Sequence, residues 1–304
     1  MEFKVEKSTS HSGSHFGKWV LLVSILGGLI GLSLIFGAWK LFRKEFPEVT
    51  TLKNHYAHIL YQGPKKPVLV RLEKSIYPGY TALGQVSKVA QGAVIVSEDW
   101  AFFTHDGFDA AQLKEALEQD LVEHRFARGA STITMQVVKN VYLTQEKSLW
   151  RKLKEFLLAI RLDHHVPKRK ILETYFNIAE WGEGIYGISG ASQTYFGKNP
   201  ADINPREAAF LAMLLPSPKK YSQSFRAKKL TPFGAKMVKS ILTKMAQAHY
   251  ITDEDKNFWI KTPMAWETSL TPSDLTGSAD ESENGDSTEE TPRTLDSETH
   301  DKTE

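Results

Sequence analysis

The 304-residue chain has no cysteine. That excludes disulfide cross-links and thiolate metal sites, though it leaves the compartment open. A glycine-rich phosphate loop and a dinucleotide fingerprint are both missing, and strands do not alternate with helices in a βαβ rhythm, so nucleotide-binding doubly wound folds find no support. No internal repeat recurs. Strand character is scarce too: only Val68 to Ile76 shows a weak alternation. The formal net charge of +2 is small, but it averages a basic body with an acidic end.

What is present begins with an uncharged run from Trp19 to Trp39 that contains Leu21, Leu22, Ile25, Leu26, Leu29, Ile30 and Phe36. At roughly 1.5 Å per residue such a helix spans about 30 Å, enough for a bilayer core, and tryptophans at its ends suit the interfacial belt. A cleaved leader has an apolar core of only about 7–15 residues. Here the run is longer and is followed by Lys40, Arg43 and Lys44 instead of small residues, so it reads as an uncleaved anchor. Lys4, Lys7 and Lys18 precede it, so charge bias does not set its orientation. From about Thr268 the chain is Ser, Thr, Asp, Glu, Gly and Pro, a composition that cannot offset its ordering entropy and reads as disordered.

Between these ends the apolar spacing predicts mostly helix. Candidates are Ala110 to His124, Leu149 to Leu162 (with Leu149, Leu153, Phe156, Leu157 and Ile160 on one stripe), Lys168 to Glu180, Pro205 to Leu215 and Lys236 to His249. Asn204 and Pro205 suit the N-cap and first position of the fourth. The fold class is mainly α.

Three segments could carry chemistry. The apolar run Ala93 to Val96 leads into Ser97, Glu98 and Asp99, then Trp100, Phe102, Phe103, His105, Asp106 and Gly107. A carboxylate beside aromatics is partly desolvated and suits a general base; the bland alternative makes Ser97 to Asp99 the first residues of a helix. His105 with Asp106 is weak evidence for a metal, and His105 reads as a hydrogen-bonding residue that shapes the site. Gly129, Ser131, Thr132, Thr134 and Gln136, followed by Lys139 and Asn140, bring together hydroxyls, amides and an ammonium that can bind sugar hydroxyls and a diphosphate. Ser131 and Thr132 could equally cap a helix. Arg151, Lys152 and Glu155 share a helix face, and an intrahelical ion pair is their ordinary reading. Two carboxylates with several cations, behind a membrane anchor, suit sugar transfer from an anionic leaving group held in lipid. His164 and His165 are adjacent and poor joint ligands. Ser217 with Lys220 matches Ser-x-x-Lys, but the companion motifs of acyl-serine enzymes are absent.

In order, these segments resemble the peptidoglycan glycosyltransferases of bacterial wall synthesis from about Thr51 to Met264. The first motif is Glu98-Asp99, Phe102, His105, Gly107; the second runs Gly129 to Gln136, then Lys139-Asn140; the third is Arg151-Lys152 and Glu155. The fourth is Lys168, Ile171, Leu172, Glu173, Tyr175 and Asn177, through Trp181-Gly182 and Gly187 to Tyr195-Phe196-Gly197-Lys198. The fifth is Arg206-Glu207-Ala208-Ala209 to Leu214-Leu215-Pro216. The family's second motif usually ends Gln-Gln, whereas this chain has Met135-Gln136.

The resemblance is to the monofunctional branch. It implies a lysozyme-like, two-lobed, mainly helical domain over residues 43–265, a cytoplasmic segment over 1–18, an anchor over 19–42 and a disordered acidic tail over 266–304. The catalytic domain would lie on the outer face of the cytoplasmic (inner) membrane. The implied reaction is glycan polymerisation from lipid II, forming β-1,4 bonds with inversion and releasing undecaprenyl pyrophosphate. Glu98 would be the general base, with Glu155 as the second catalytic carboxylate beside Lys139, Arg151 and Lys152. Asp99, Phe102, His105, Gly129, Ser131, Thr132, Gln136 and Asn140 would contact substrate or shape the site, Glu173 would pair structurally with a cation, and residues from Phe108 to Arg128 would cover the donor cleft. No cofactor is required; a divalent Mg or Mn ion is compatible. The expected partners are lipid II, the lipid-linked glycan, the membrane and other wall-synthesis proteins, with no nucleic acid. Glycan cleavage by a lysozyme-like enzyme and an inactive wall scaffold are the competing readings.

Overall fold

The computed structural model describes residues 13–267 apart from 65, 67, 112–113, 115–130, 145 and 147. The first helix, α1 (Gly13–Glu45), contains the apolar stretch Trp19–Gly37, no part of which is buried by the protein. A helix apolar on every side and uncovered by the described residues has the length and composition of a membrane span. It enters the domain through a single 3-10 turn, Val49–Asn54, whose Val49 and Leu52 are fully buried.

A hairpin follows, β1 (Tyr56–Leu60) antiparallel to β2 (Leu69–Glu73), with Tyr56 opposite Glu73 and Leu60 opposite Leu69. The expected strand Val68 to Ile76 is thus β2, trimmed at both ends. Its partner β1 escaped detection because only Ala57 in it is buried, so no alternation shows.

The helices of the body are α2 (Lys88–Glu98), α3 (Ile133–Tyr142), α4 (Leu149–His165), α5 (Lys168–Ile178), α6 (Ile188–Phe196), α7 (Pro205–Leu214), the single turns α8 (Pro218–Tyr221) and α9 (Gln223–Arg226), then α10 (Pro232–Gln247) and α11 (Asp253–Lys261). A short antiparallel pair, β3 (Glu180–Gly182) with β4 (Ile185–Tyr186), follows α5. Hydroxyl caps start most of the long helices: Ser87, Thr132, Ser148 and Thr231 each accept from the backbone N–H three residues on, satisfying donors that the helix leaves open. Asn204 and Glu207 form the reciprocal capping box expected at α7, and Thr252 with Asp255 forms one at α11.

Two helical groups meet at the site. In one, α7 is buried along its length from Arg206 to Leu214 and lies against α2 and α10, with α11 outside α10. In the other, α3 packs on α4 and α5, and the β1–β2 hairpin rests on α5. Four of the expected helices are present with shifted ends; that over Ala110 to His124 lies almost wholly outside the described residues. One correction concerns α4. Leu149, Leu153 and Leu157, read as its apolar stripe, face outward, and the buried face is Glu155, Leu158, Ala159 and Leu162. The outward stripe adjoins the anchor: Phe46 meets Trp150 edge-on at 6.2 Å, Lys154 pairs with Glu45, and Arg161 pairs with Glu48 at 2.8 Å.

A second correction moves the C-terminal boundary. The domain does not stop at residue 265, because Trp266 packs edge-on against Phe210 and Phe225, and Glu267 is buried. The Glu267 carboxylate receives Arg206 Nε and Nη2, each at 3.1 Å, and the Met264 N–H at 2.8 Å; Arg206 Nη1 also reaches the carbonyls of Trp259 and Ile260. Each side-chain nitrogen and oxygen of this buried pair has a partner, so removal of one residue strands a charge. Arg206→Ala is therefore expected to cost about 3–5 kcal/mol in denaturant unfolding of the detergent-solubilised chain followed by tryptophan fluorescence. A loss below about 1 kcal/mol would mean that the pair does not hold this end of the domain.

Candidate active site

Glu98 is the last residue of α2, not near the start of a helix as the bland reading had it. At a helix C-terminus the backbone dipole disfavours a negative charge. Burial pushes the Glu98 carboxyl up; a hydrogen bond from Gln136 and the charge of Lys139 pull it back, while Asp99 adds to the rise. The contact is specific: Gln136 Nε2 donates to Glu98 Oε2 at 2.8 Å, and Tyr175 Oη donates to Gln136 Oε1 at 3.3 Å. A half-buried carboxyl with an elevated pKa and one fixed donor is suited to take a proton.

Asp99, the next residue, faces the other way. It is almost fully buried; His105 Nε2 donates to it at 2.8 Å, and its Oδ2 accepts the Ile133 N–H, the first of α3, at 2.9 Å. Lys168 lies 3.5 Å from His105 Nδ1 and pairs with Asp163 at 2.9 Å, and Thr134 donates to the same Asp163. This chain joins the end of α2 to the start of α3 and α5. It positions Glu98 and Gln136, and both oxygens of Asp99 are occupied.

Two assignments as substrate contacts are corrected here. Phe102 is fully buried, edge-on to Phe103 and under the Lys168 ammonium at 4.6 Å. Thr132 is the buried N-cap of α3, accepting from Met135 N and donating to the Gly107 carbonyl at 2.7 Å. Both hold the backbone that presents the site, since an apolar ring and a satisfied hydroxyl are worth more inside than at a wet surface. Gly129 lies outside the described residues, as does most of the stretch from Phe108 to Arg128.

The cations gather on α3 and α4. Glu155 is buried; Arg151 Nη1 donates to its Oε2 at 2.8 Å and Lys152 Nζ to its Oε1 at 2.5 Å. Lys152 also donates to Ser131 Oγ at 2.9 Å. The intrahelical pair is therefore real, and it leaves donors over: Arg151 Nε is buried without a partner. Lys139 makes no hydrogen bond or ion pair among the described residues, yet it is within electrostatic reach of both Glu98 and Glu155. Burial pushes its ammonium down, Glu155 opposes this, and Lys152 and Arg151 reinforce it. An ammonium that is half-desolvated and unpaired is a strong anion site in waiting.

Gln136, Lys139, Asn140, Arg151 and Tyr175 line one cavity of about 600 Å³, which extends past Ile59 and Val70 of the hairpin to Glu180, Tyr186 and Lys219. Glu98 reaches it through Gln136. The sequence had suggested no role for Glu180, Tyr186 or Lys219, and had placed Tyr175 in the fourth motif without giving it a role. Tyr175 lay in a helical stripe that reads as core, and the other three are brought to the cavity by β3, β4 and α8, whose shortness leaves no periodic signal. Met135, the departure within the second motif, points elsewhere: it forms part of an apolar cleft with Phe108, Leu149, Leu153 and Phe156. The amide beside Glu98 is thus supplied by Gln136 alone. Glu173 is structural: burial alone would raise its carboxyl, but hydrogen bonds from Tyr80, the Leu83 N–H and Lys170 outweigh it and hold it below its usual value. His164 and His165 lie edge to face on the exposed end of α4. Among the described residues no three His, Cys, Asp or Glu side chains stand together, and each oxygen of Glu155 already faces a cation.

A family model described as transglycosylase matches residues 65–246. The chain belongs to the transglycosylase family. Its similarity to curated relatives extends through most of its length. It is 30% identical over 251 residues to a biosynthetic peptidoglycan transglycosylase of Nitrosomonas eutropha, covering 81% of this chain and 97% of that one. It is 31% identical over 231 residues to the protein of that name in Chromobacterium violaceum, covering 74% and 96%. With the Rhizobium meliloti protein identity reaches 45% over 133 residues, 44% of this chain and 56% of that one. This transglycosylase is an enzyme of mainly helical, lysozyme-like fold, and the five-motif resemblance holds.

The raised Glu98 carboxyl has a consequence for stability. Its folded pKa lies above the unfolded value, so the fold prefers the neutral form. Stability from this group is complete below the unfolded pKa and is lost as pH rises through the folded one. Glu98→Gln, neutral at every pH, should therefore melt higher than the wild type at pH 7, the gap closing below about pH 4. Equal melting temperatures at pH 7 would show that Glu98 is not strained by its site.

Proposed function

We propose that this transglycosylase polymerises peptidoglycan glycan strands from lipid II, the lipid-pyrophosphate-linked disaccharide-peptide. One observation carries the reading: a carboxyl suited to accept a proton is hydrogen-bonded to Gln136, which lines the same cavity as the cations Lys139 and Arg151, in a chain with a helix long and apolar enough to span a membrane. Glu98 takes the proton from the acceptor 4-hydroxyl as that oxygen attacks the anomeric carbon of the growing chain. The pyrophosphate leaves from the opposite face, so an α-linked donor gives a β-1,4 product. Lys139 and Arg151, both lining the cavity, meet the negative charge that develops on the leaving group, with Lys152 beside them. Such preorganised donors act without reorganisation at the moment of reaction. Glu155 does not act as an acid here; with one oxygen on each of Arg151 and Lys152, it aims the two cations. Ser131 and Asn140 are placed for polar contacts with the substrate.

The names borne by the relatives support this substrate, as does the anchor. Strapped to α4 through Glu45, Phe46 and Glu48, the anchor would keep the cation cluster close to the bilayer in which a lipid-linked substrate resides. The domain would then lie on the outer face of the inner membrane, where other wall-synthesis proteins act. Glycan cleavage is not favoured, because a departing sugar hydroxyl needs a proton, whereas Lys139, Arg151 and Lys219 at this cavity are suited to an anion.

Turnover of lipid II by the detergent-solubilised chain tests the reading. Wild type should yield muramidase-sensitive polymer, and Glu98→Gln should lower the rate by about 10²–10⁴-fold. Arg151→Ala should cost about 10²-fold or more in kcat. Muropeptides released from purified sacculi, with no polymer formed, would replace synthesis by cleavage.

A further inference from the structure

The hydroxyl of Tyr175 takes no part in the chemistry above, yet it stands one residue removed from the base. Tyr175 is on α5 and only 1% exposed. Its Oη donates to Gln136 Oε1 at 3.3 Å, and Nε2 of the same amide donates to Glu98 Oε2 at 2.8 Å. We propose that Tyr175 is a positioning residue that acts through the Gln136 amide to keep Glu98 in its ionised, proton-accepting form. The inference rests on the role given to Glu98 in the proposed function and deepens it.

An amide has two ends of nearly equal shape, and a half-turn exchanges oxygen for nitrogen. With Oε1 towards Tyr175, the NH₂ group faces Glu98 and stabilises a carboxylate. Turned over, the amide would present oxygen to Glu98, and only a protonated carboxyl could donate to it. The buried tyrosine chooses between these states. Its proton needs an acceptor, and among the described residues Gln136 Oε1 is the one it reaches. In the turned state Gln136 would donate to Tyr175 instead, and the hydroxyl proton would be stranded. A 3.3 Å contact is long for a hydroxyl donor, enough to bias an amide between two orientations without locking it.

The other charged groups facing Glu98 do not discriminate in this way. Asp99, the cap that follows α2, has both oxygens committed to His105 and Ile133 N, so it makes no hydrogen bond to the amide. Lys139, on α3, favours the carboxylate in either orientation of the amide. Burial, with the charges of Glu98 and Asp99 added, pushes the Tyr175 hydroxyl well above its ordinary pKa, so it remains a neutral donor wherever Glu98 titrates.

The test is titration of Glu98 itself, in the full-length chain in detergent, labelled with ¹³C at glutamate carboxyls. The Glu98 resonance is assigned by its loss in Glu98→Gln. Tyr175→Phe keeps the ring and removes only the hydroxyl, and circular dichroism checks the fold. The expected result is a rise of about half a pH unit in the Glu98 midpoint. The acidic limb of kcat with lipid II should move by the same amount, lowering the rate about threefold on that limb, with KM unchanged. Gln136→Met should move the midpoint by itself, and adding Tyr175→Phe to it should move it no further. An unchanged midpoint in Tyr175→Phe overturns the proposal, and so does a shift that persists in the double variant. The titration needs no turnover, so failure of the wild type to make polymer would count against the proposed function and leave this answer standing.

Discussion

Keeping one carboxyl out of water at the end of a helix costs free energy, and the arrangement of the site follows from how that cost is limited. Glu98 terminates α2, where the dipole and burial both oppose its charge. It is held by an amide from α3, the field of an ammonium from α3 and, at one remove, a hydroxyl from α5. Its neighbour Asp99 ties the same helix end to α3 through the Ile133 N–H and to His105. Because α2 belongs to one helical group and α3, α4 and α5 to the other, the seam between the groups runs through the groups that set the protonation of Glu98.

The cation cluster obeys a complementary rule. A buried glutamate at position 155 would be prohibitive without counter-charges, and Arg151 and Lys152 supply them from its own helix. Each of its oxygens takes a different cation, which orients the pair, while Arg151 and Lys139 both line the cavity where an anion would bind. The same helix is strapped to the membrane anchor on its other side through Trp150, Lys154 and Arg161. One helix thus links the span to the charge that a lipid-borne leaving group requires.

Much of this was legible in sequence. The anchor, four of the body helices and the Asn204 cap follow from local pattern, because apolar period and cap chemistry act within a few residues. The motif residues could be listed but not sorted. Phe102 and Thr132 stand among polar or exposed-looking neighbours, and only the packing shows that both are enclosed. The stripe of Leu149, Leu153 and Leu157 is as periodic as any core face; which side of α4 is covered depends on α3 and the 3-10 turn that pack against it. The position of Trp266 and Glu267 within the domain escaped notice because their partners, Phe210, Phe225 and Arg206, are more than 40 residues away.

Sequence alone, then, determined the kinds of groups available: two acids, several bases, an amide, and an apolar helix long enough to span a bilayer. Those are properties of residues and of short-range period, and they survive in any fold. Tertiary structure decided their states. It placed Glu98 at a helix end and half-buried, left Lys139 without a partner among the described residues, used up Asp99, and set Tyr175 behind Gln136. Desolvation and hydrogen-bond direction depend on neighbours brought from distant parts of the chain, and they exist only once the helices have packed.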